Sequence, residues 1–128
     1  MRALLIIAAL IVAAPAMGQI TDPAKNPCAG ANGLDICAAA KATAKAISPK
    51  LPREIAPGIW VQSADQGGPQ VQLQLMVASD LRLPDEAGFA KLACGEPPLA
   101  ALIMRGGQVA YHLNDRVIAT VTSCKEAD

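Results

Sequence analysis

The sequence predicts an α+β fold in which helices cover one face of an antiparallel five-stranded sheet, in the order α-ββ-α-βββ. Three patterns predict it: an alanine- and lysine-rich segment with helical spacing, a segment of alternating polar and apolar residues, and two tight turns near the carboxyl end. The chain has 128 residues, 52% of them hydrophobic, which fits one small folded domain rather than a disordered chain.

Two helices are predicted. The first spans Leu34 to Ile47, where the strong helix formers Ala and Lys accompany apolar residues at helical intervals, and Pro49 ends it. The segment from Pro49 to Gly58 contains three prolines and is predicted to be a connection. A second, short helix begins at Leu83-Pro84, and Gly95 with the two prolines after it is predicted to end that helix.

Two strands are predicted over Ile59 to Ala64 and Gln70 to Ala78, joined by a glycine- and proline-containing turn. In the second strand Gln70, Gln72 and Gln74 alternate with apolar residues. This period of two is typical of a strand in a sheet with one buried face and one solvent-exposed face.

The last third of the chain is predicted to be a meander of three strands, Leu99 to Met104, Gln108 to Leu113 and Arg116 to Ser123. Gly106-Gly107 and Asn114-Asp115 have the composition of two-residue hairpin turns.

The turns fix a predicted register. Met104 faces Val109 and Leu102 faces Tyr111 across the first turn, whereas His112 faces Val117 and Tyr111 faces Ile118 across the second.

Residues 1–18 are predicted to be a signal peptide. Arg2 supplies the positive start, Ala3 to Ala14 is an unbroken apolar run, and small residues precede a cleavage point before Gln19. The run is shorter than the ~20 residues that a spanning helix needs. Residues 19–33 are predicted to be irregular, residues 34–124 to form the single domain, and residues 125–128 to be a tail.

The export signal predicts a periplasmic or secreted protein. Lys25-Asn26-Pro27 precedes Cys28, and this is not the apolar and small sequence of a lipoprotein signal. The sequence therefore predicts a soluble exported chain without a lipid anchor or a transmembrane segment in its mature part.

The four cysteines are Cys28, Cys37, Cys94 and Cys124. In an oxidising compartment an even number predicts two disulfides, and three pairings are open. We favour Cys28–Cys37, which closes a short loop, and Cys94–Cys124, which ties the end of a helix to the end of the chain. With Leu99 starting a strand, Cys94 reaches Cys124 only if residues 95–98 double back along the sheet.

No metal or other cofactor is predicted, because the chain has no C-x2-C pair and its single histidine, His112, is not in ligand spacing with a cysteine. Nucleic-acid binding is disfavoured by a balanced charge, with 11 basic and 11 acidic residues, and by the presence of only three aromatic residues.

Catalytic residues are not predicted. His112 is the only candidate base for a nucleophilic pair, and Ser63, Ser79 and Ser123 lack a G-x-S-x-G context. Two carboxylate pairs could be drawn, Asp85 with Glu86 and Asp22 with Glu54. Adjacent acids at a helix start are better explained by the helix dipole.

One resemblance covers roughly residues 40–124. Its first features are Leu51-Pro52 at the end of a helical segment and a pair of strands from Trp60 to Val77. Cys94 follows Leu92-Ala93, and a leucine-containing predicted strand ends at Gly106-Gly107. A strand with a tyrosine at Val109-Ala110-Tyr111 and a final cysteine, Cys124, complete the pattern. Together these features resemble the small beta-class pilotins of type II secretion.

The resemblance implies an antiparallel five-stranded sheet with helices on one side and a disulfide between Cys94 and Cys124. It also implies a partner, the C-terminal helical tail of a secretin subunit, which a pilotin delivers to the outer membrane. Pilotins of this class are lipoproteins, whereas this sequence shows no lipobox, and a Cys28–Cys37 bond is an addition to the pattern.

The sequence therefore predicts an exported, non-catalytic, pilotin-like domain that binds a protein segment of an envelope or secretion-system partner. Two alternatives are a periplasmic inhibitor or immunity protein that blocks an enzyme, and a small periplasmic hydrolase that uses His112. The sequence assigns no residue to the binding surface.

Overall fold

The computed structural model describes residues 27–30 and 33–125. The predicted signal peptide, most of the predicted irregular segment and residues 126–128 lie outside this part. The described elements are α1 (Ile36–Ile47), a 3-10 turn (Ser48–Lys50), β1 (Arg53–Ala56), β2 (Ile59–Gly67), β3 (Gln70–Val77), α2 (Glu86–Cys94), α3 (Pro97–Met104), β4 (Gln108–Leu113) and β5 (Arg116–Val121). The predicted α+β class is confirmed, but the order is α-βββ-αα-ββ.

Local chemistry explains where α1 begins. Asp35 stands at its N-cap, and the Asp35 Oδ1 atom accepts a hydrogen bond of 3.0 Å from the backbone N–H of Ala38. Ile36, Ala40 and Ala44 recur every four residues and are buried on one face of the helix. The small alanines allow the helix to lie close to the sheet.

The five strands lie in the order β1-β2-β3-β4-β5. The prediction of a purely antiparallel sheet is wrong, because β3 and β4 run parallel, with Gln70 opposite Gln108 and Gln74 opposite His112. Parallel neighbours need a long crossover, and α2 and α3 supply it by returning the chain from the end of β3 to the start of β4.

The prediction of a strand over Leu99 to Met104 is also wrong, because this segment belongs to α3. Leu99, Leu102 and Ile103 are buried at the spacing of one helix face. Pro97 and Pro98 begin α3 rather than simply ending the preceding helix, since proline is well accommodated in a first helical turn.

Gly106-Gly107 closes α3 and is not a hairpin turn. The Gly106 N–H donates to the carbonyl of Ile103 at 3.0 Å, and its φ of +104° suits glycine. A Cβ on Gly107 would lie 2.6 Å from the Leu102 side chain, so the close approach of helix and strand requires glycine there. The predicted pairs Met104–Val109 and Leu102–Tyr111 therefore do not form.

The fifth strand of the sheet is β1, which lies within the segment predicted to be a connection. It pairs antiparallel with β2, with Glu54 opposite Trp60. It has only four residues and lies at the sheet edge between Pro52 and Pro57, where prolines are tolerated.

The β4–β5 register contains one irregularity. His112 lies opposite Val117, as predicted, but Tyr111 lies opposite Ala119 instead of Ile118. Since Ile118 is the extra residue of this bulge, Ala119 returns to the same face as Tyr111.

The hydrophobic core lies between the helices and one face of the sheet. α1 packs on β2 and β3, α2 on β5, and α3 on β4 and α1. The rings of Phe89 in α2 and Tyr111 in β4 have centroids 4.8 Å apart. The described helices thus cover one face of the sheet, and none of them has the length and apolarity to span a bilayer.

Candidate functional site

An apolar pocket opens on the helix-covered side of the sheet. Its floor consists of buried side chains from three neighbouring strands, Val61, Leu73 and Tyr111. Its remaining lining comes from α1, the chain after it, β1, α2 and α3: Ile47, Leu51, Arg53, Ile55, Leu92, Glu96 and Leu99. We call it the Arg53–Glu96 pocket.

An ion pair gives the pocket its polar rim. The Arg53 Nη1 atom donates to Glu96 Oε2 at 3.0 Å, and Nη2 pairs with Oε1. The contact is therefore bidentate, which fixes the guanidinium plane against the carboxylate. The two side chains are 47% and 27% exposed, so solvent screens the pair and breaking it costs about 1 kcal/mol or less.

Tyr111 contributes the phenol on the pocket floor. Burial, and secondarily the nearby carboxylate of Glu96, raise the pKa of Tyr111 far above its usual value. The hydroxyl therefore stays neutral over the whole physiological range.

Three polar side chains lie in this lining. Its polar side chains are a cation paired with an anion and a neutral phenol, and the described lining contains no serine, cysteine or histidine. A nucleophile with an adjacent base, as acyl transfer requires, is not assembled there.

His112 follows Tyr111 in β4 and therefore lies on the opposite face of the sheet. Its Nε2 atom is buried and has no hydrogen-bond partner among the described residues. Ser63 lies on the same face but two strands away, about 10 Å by strand spacing. Ser123 accepts a hydrogen bond from the Lys125 backbone N–H, and Ser79 is exposed after β3.

The acidic residues of the suggested pairs serve local structure. Asp85 is the N-cap of α2 and accepts a hydrogen bond of 2.9 Å from the Gly88 N–H. The carboxylate of Glu54 accepts a hydrogen bond of 3.0 Å from the Gly58 N–H in the β1–β2 turn. Asp22 lies outside the described residues.

The four cysteines form two pairs at disulfide distance. Cys28 is bonded to Cys37 with a Cα–Cα distance of 4.9 Å, and Cys94 is bonded to Cys124 with a distance of 5.7 Å. The Asp35 carboxylate lies within 4.8 Å of the Cys28 and Cys37 sulfurs. Because these sulfurs are bonded to each other, they offer no thiolates to a metal ion.

Sequence reasoning missed the pocket. Arg53 and Glu96 are 43 positions apart, and no local pattern joins them. Three lining residues, Leu51, Arg53 and Ile55, come from the segment predicted to be a connection, and Leu99 comes from the segment wrongly predicted to be a strand.

Met76 and Met104 lie at the surface. Isolated methionines commonly fill a core, yet the side chains of Met76 and Met104 are 47% and 79% exposed. Met76 lies on the sheet face opposite the helices, and Met104 lies at the end of α3.

The fold is similar to solved structures of type II secretion pilotins. The EpsS pilotin of Vibrio vulnificus has a TM-score of 0.55 at 14% identity, and the alignment covers 73% of this chain and 92% of that one. The AspS pilotin of Vibrio cholerae has a TM-score of 0.53 at 17% identity, with the same coverage.

A protein of Pseudomonas aeruginosa described as secreted is similar as well, with a TM-score of 0.52 at 22% identity over 67% of this chain and 86% of that one. No family model matches the sequence, and no curated protein is significantly similar to it. The resemblance to the pilotin fold is therefore confirmed at the level of structure.

Proposed function

We propose that this protein is an exported, non-catalytic, pilotin-like module that binds a helical segment of an envelope or secretion-system partner in the Arg53–Glu96 pocket. The observation that carries the proposal is an apolar pocket with a polar rim, in a fold shared with two type II secretion pilotins. Helix-in-groove recognition uses such pockets to hold one or two apolar anchors of an amphipathic helix.

The lining supports this mode of binding in two ways. The apolar floor offers a desolvated place for part of an apolar anchor side chain, which is where binding energy concentrates in protein interfaces. Arg53 and Glu96 present a cation and an anion side by side at the rim, so a charged residue flanking the anchor finds a complementary group.

The proposed role differs from that of a lipoprotein pilotin in one respect. The sulfur of Cys28 is bonded to Cys37, which leaves no thiol at Cys28 for acylation. We therefore propose that this protein holds its partner segment in the periplasm without a lipid of its own.

Binding of a fluorescently labelled secretin C-terminal peptide to the purified exported chain tests the proposal. Ile55 is half-buried on the pocket wall, so Ile55→Asp places a charge where the anchor docks. We expect this variant to raise the Kd at least tenfold. Met104→Asp is the matched control, because Met104 is 79% exposed outside the pocket.

Fluorescence anisotropy gives the Kd, and circular dichroism checks that each variant folds. If the wild-type protein does not bind the secretin peptide, the partner class is wrong. If it binds and Ile55→Asp binds equally well, the pocket is not the site.

A further inference from the structure

The sheet face opposite the helices, which we call the open face, carries most of the exposed large hydrophobic side chains of the described residues. Trp60 is 37% exposed, Met76 is 47% exposed and Val117 is 56% exposed, and all three lie on this face. Met104, the remaining one, lies on α3. Such a concentration on one face is unusual for a surface that faces only water.

These side chains lie at the same end of the open face. Trp60 of β2 is directly opposite Met76 of β3. Two residues before Met76, Gln74 lies opposite His112 of β4, and His112 lies opposite Val117 of β5. The apolar positions and His112 therefore form a row that crosses four strands.

The rest of the open face is polar and mostly uncharged. The Gln70 side chain donates to that of Gln108 at 3.1 Å, and the Gln72 side chain donates to that of Gln70 at 3.2 Å. The described charges on this face, Glu54 and Asp65, lie on β1 and β2, toward one margin.

We propose that the open face binds the open face of a second copy of this chain, giving a symmetrical dimer with two sheets packed face to face. Each glutamine amide is both a donor and an acceptor, so an amide-rich face is complementary to itself. A two-fold axis along the central strand β3 places β2 of one copy over β4 of the other. Asp65 then meets the neutral β4 strand of the partner copy instead of another carboxylate.

The size of the open face sets the strength of this contact. Strand spacing and strand length give a projected area on the order of 450 Å² per copy, and the corrugated surface exceeds its projection. Two copies together give a projected area of about 900 Å², which is below the roughly 1,200–2,000 Å² of stable specific interfaces and typical of weak, transient ones. We therefore expect a Kd in the micromolar range rather than a permanent dimer.

The dimer is compatible with partner binding. The floor of the Arg53–Glu96 pocket is made by side chains on the other face of the same strands, so the pocket stays accessible in the dimer. Two outward-facing pockets would let one dimer bind two partner segments. The inference does not depend on the proposed function.

Sedimentation equilibrium of the full exported chain over a concentration series tests the dimer. We expect twice the monomer mass at the upper end of the series. Met76→Lys and Val117→Lys each introduce two charges into a two-fold interface, so we expect each to raise the dimer Kd at least a hundredfold. Met104→Lys is the matched control and should leave the Kd within twofold of the wild-type value.

Trp60 is the chain's only tryptophan, so its fluorescence reports this face alone. We expect its emission to shift to shorter wavelength as the concentration rises, and Val117→Lys to abolish the shift. A wild-type chain that remains monomeric up to about 1 mM overturns the proposal. So does a dimer that tolerates both open-face lysines, or one that only Met104→Lys dissociates.

Discussion

The two faces of the sheet differ sharply although they are made by the same strands. On β3 the residues facing the helices, Val71, Leu73 and Leu75, are at most 5% exposed. The residues between them face away from the helices and are glutamines that remain half-exposed. One face is therefore buried in the core and stabilises the fold, whereas the other is exposed and is the face that we propose contacts a second copy of the chain.

The largest effect should come from neighbouring substitutions on β3. Leu73 is 2% exposed in the core, so Leu73→Ala should destabilise the protein by up to about 5 kcal/mol through lost burial and a residual cavity. Gln72→Ala, one position earlier on the open face, should cost about 0.5 kcal/mol or less. Urea denaturation of both variants measures the difference.

This pair of variants can also disprove the division between the two faces. A comparable loss for Gln72→Ala and Leu73→Ala would mean that the open face contributes as much to monomer stability as the core does. Measurements at low protein concentration exclude a contribution from the proposed dimer.

A second comparison concerns the two disulfides. Cys94–Cys124 ties the end of α2 to the chain after β5 across a separation of 30 residues, whereas Cys28–Cys37 spans 9. The loop-entropy model then gives about 3.5 kcal/mol for the longer closure and about 2.5 kcal/mol for the shorter one. We expect alanine replacement of the Cys94–Cys124 pair to lower the urea midpoint more.

Replacement of the Cys28–Cys37 pair by alanines is the matched control, since it removes the same chemical groups from the other end of the domain. A larger loss for this control would show that the amino-terminal loop, and not the attachment of the helix layer, limits stability.

The sequence patterns predicted much of this fold. The alternation in β3, the carboxyl ends of α1 and α2 and the pairing of His112 with Val117 all follow from local rules, whereas each helix begins two or three residues later than predicted. The error in α3 has a physical reason: six consecutive apolar residues show no clear periodicity, and such a run suits a buried helix or a buried strand. The proposed Cys94–Cys124 pairing argued against a strand there, because it required the chain to double back.

Much less of the candidate site could be predicted from the sequence. Its ion pair joins Arg53 on an edge strand to Glu96 between two helices, and neither position belongs to a recognisable motif. The register of β5 depends on a bulge at Ile118, which shifts Ala119 onto the core face. Both features are set by tertiary packing and have no signature within a short window of sequence.

The smallest expected effect on stability near neutral pH comes from the Tyr111 phenol, which lies on the sheet face that the helices cover. Tyr111 is the chain's only tyrosine, and burial first, then Glu96, raise its pKa in the folded protein. Its ultraviolet phenolate absorbance should therefore stay absent around pH 10, where an exposed tyrosine is half ionised. The unfolded chain ionises at this lower pH, so stability should be constant below about pH 9 and should fall as the pH rises above about 10.

Tyr111→Phe is the control, because it keeps the ring against Phe89 and removes the ionisable group. This variant should lose stability less steeply than the wild-type protein above pH 10, the remaining slope coming from lysines. If folded wild-type protein instead develops phenolate absorbance near pH 10, Tyr111 is accessible to solvent through the Arg53–Glu96 pocket. The helix-covered face would then admit solvent at the position where we place the partner's anchor. The difference in solvent exposure between the two faces would be smaller there than the burial of Tyr111 indicates.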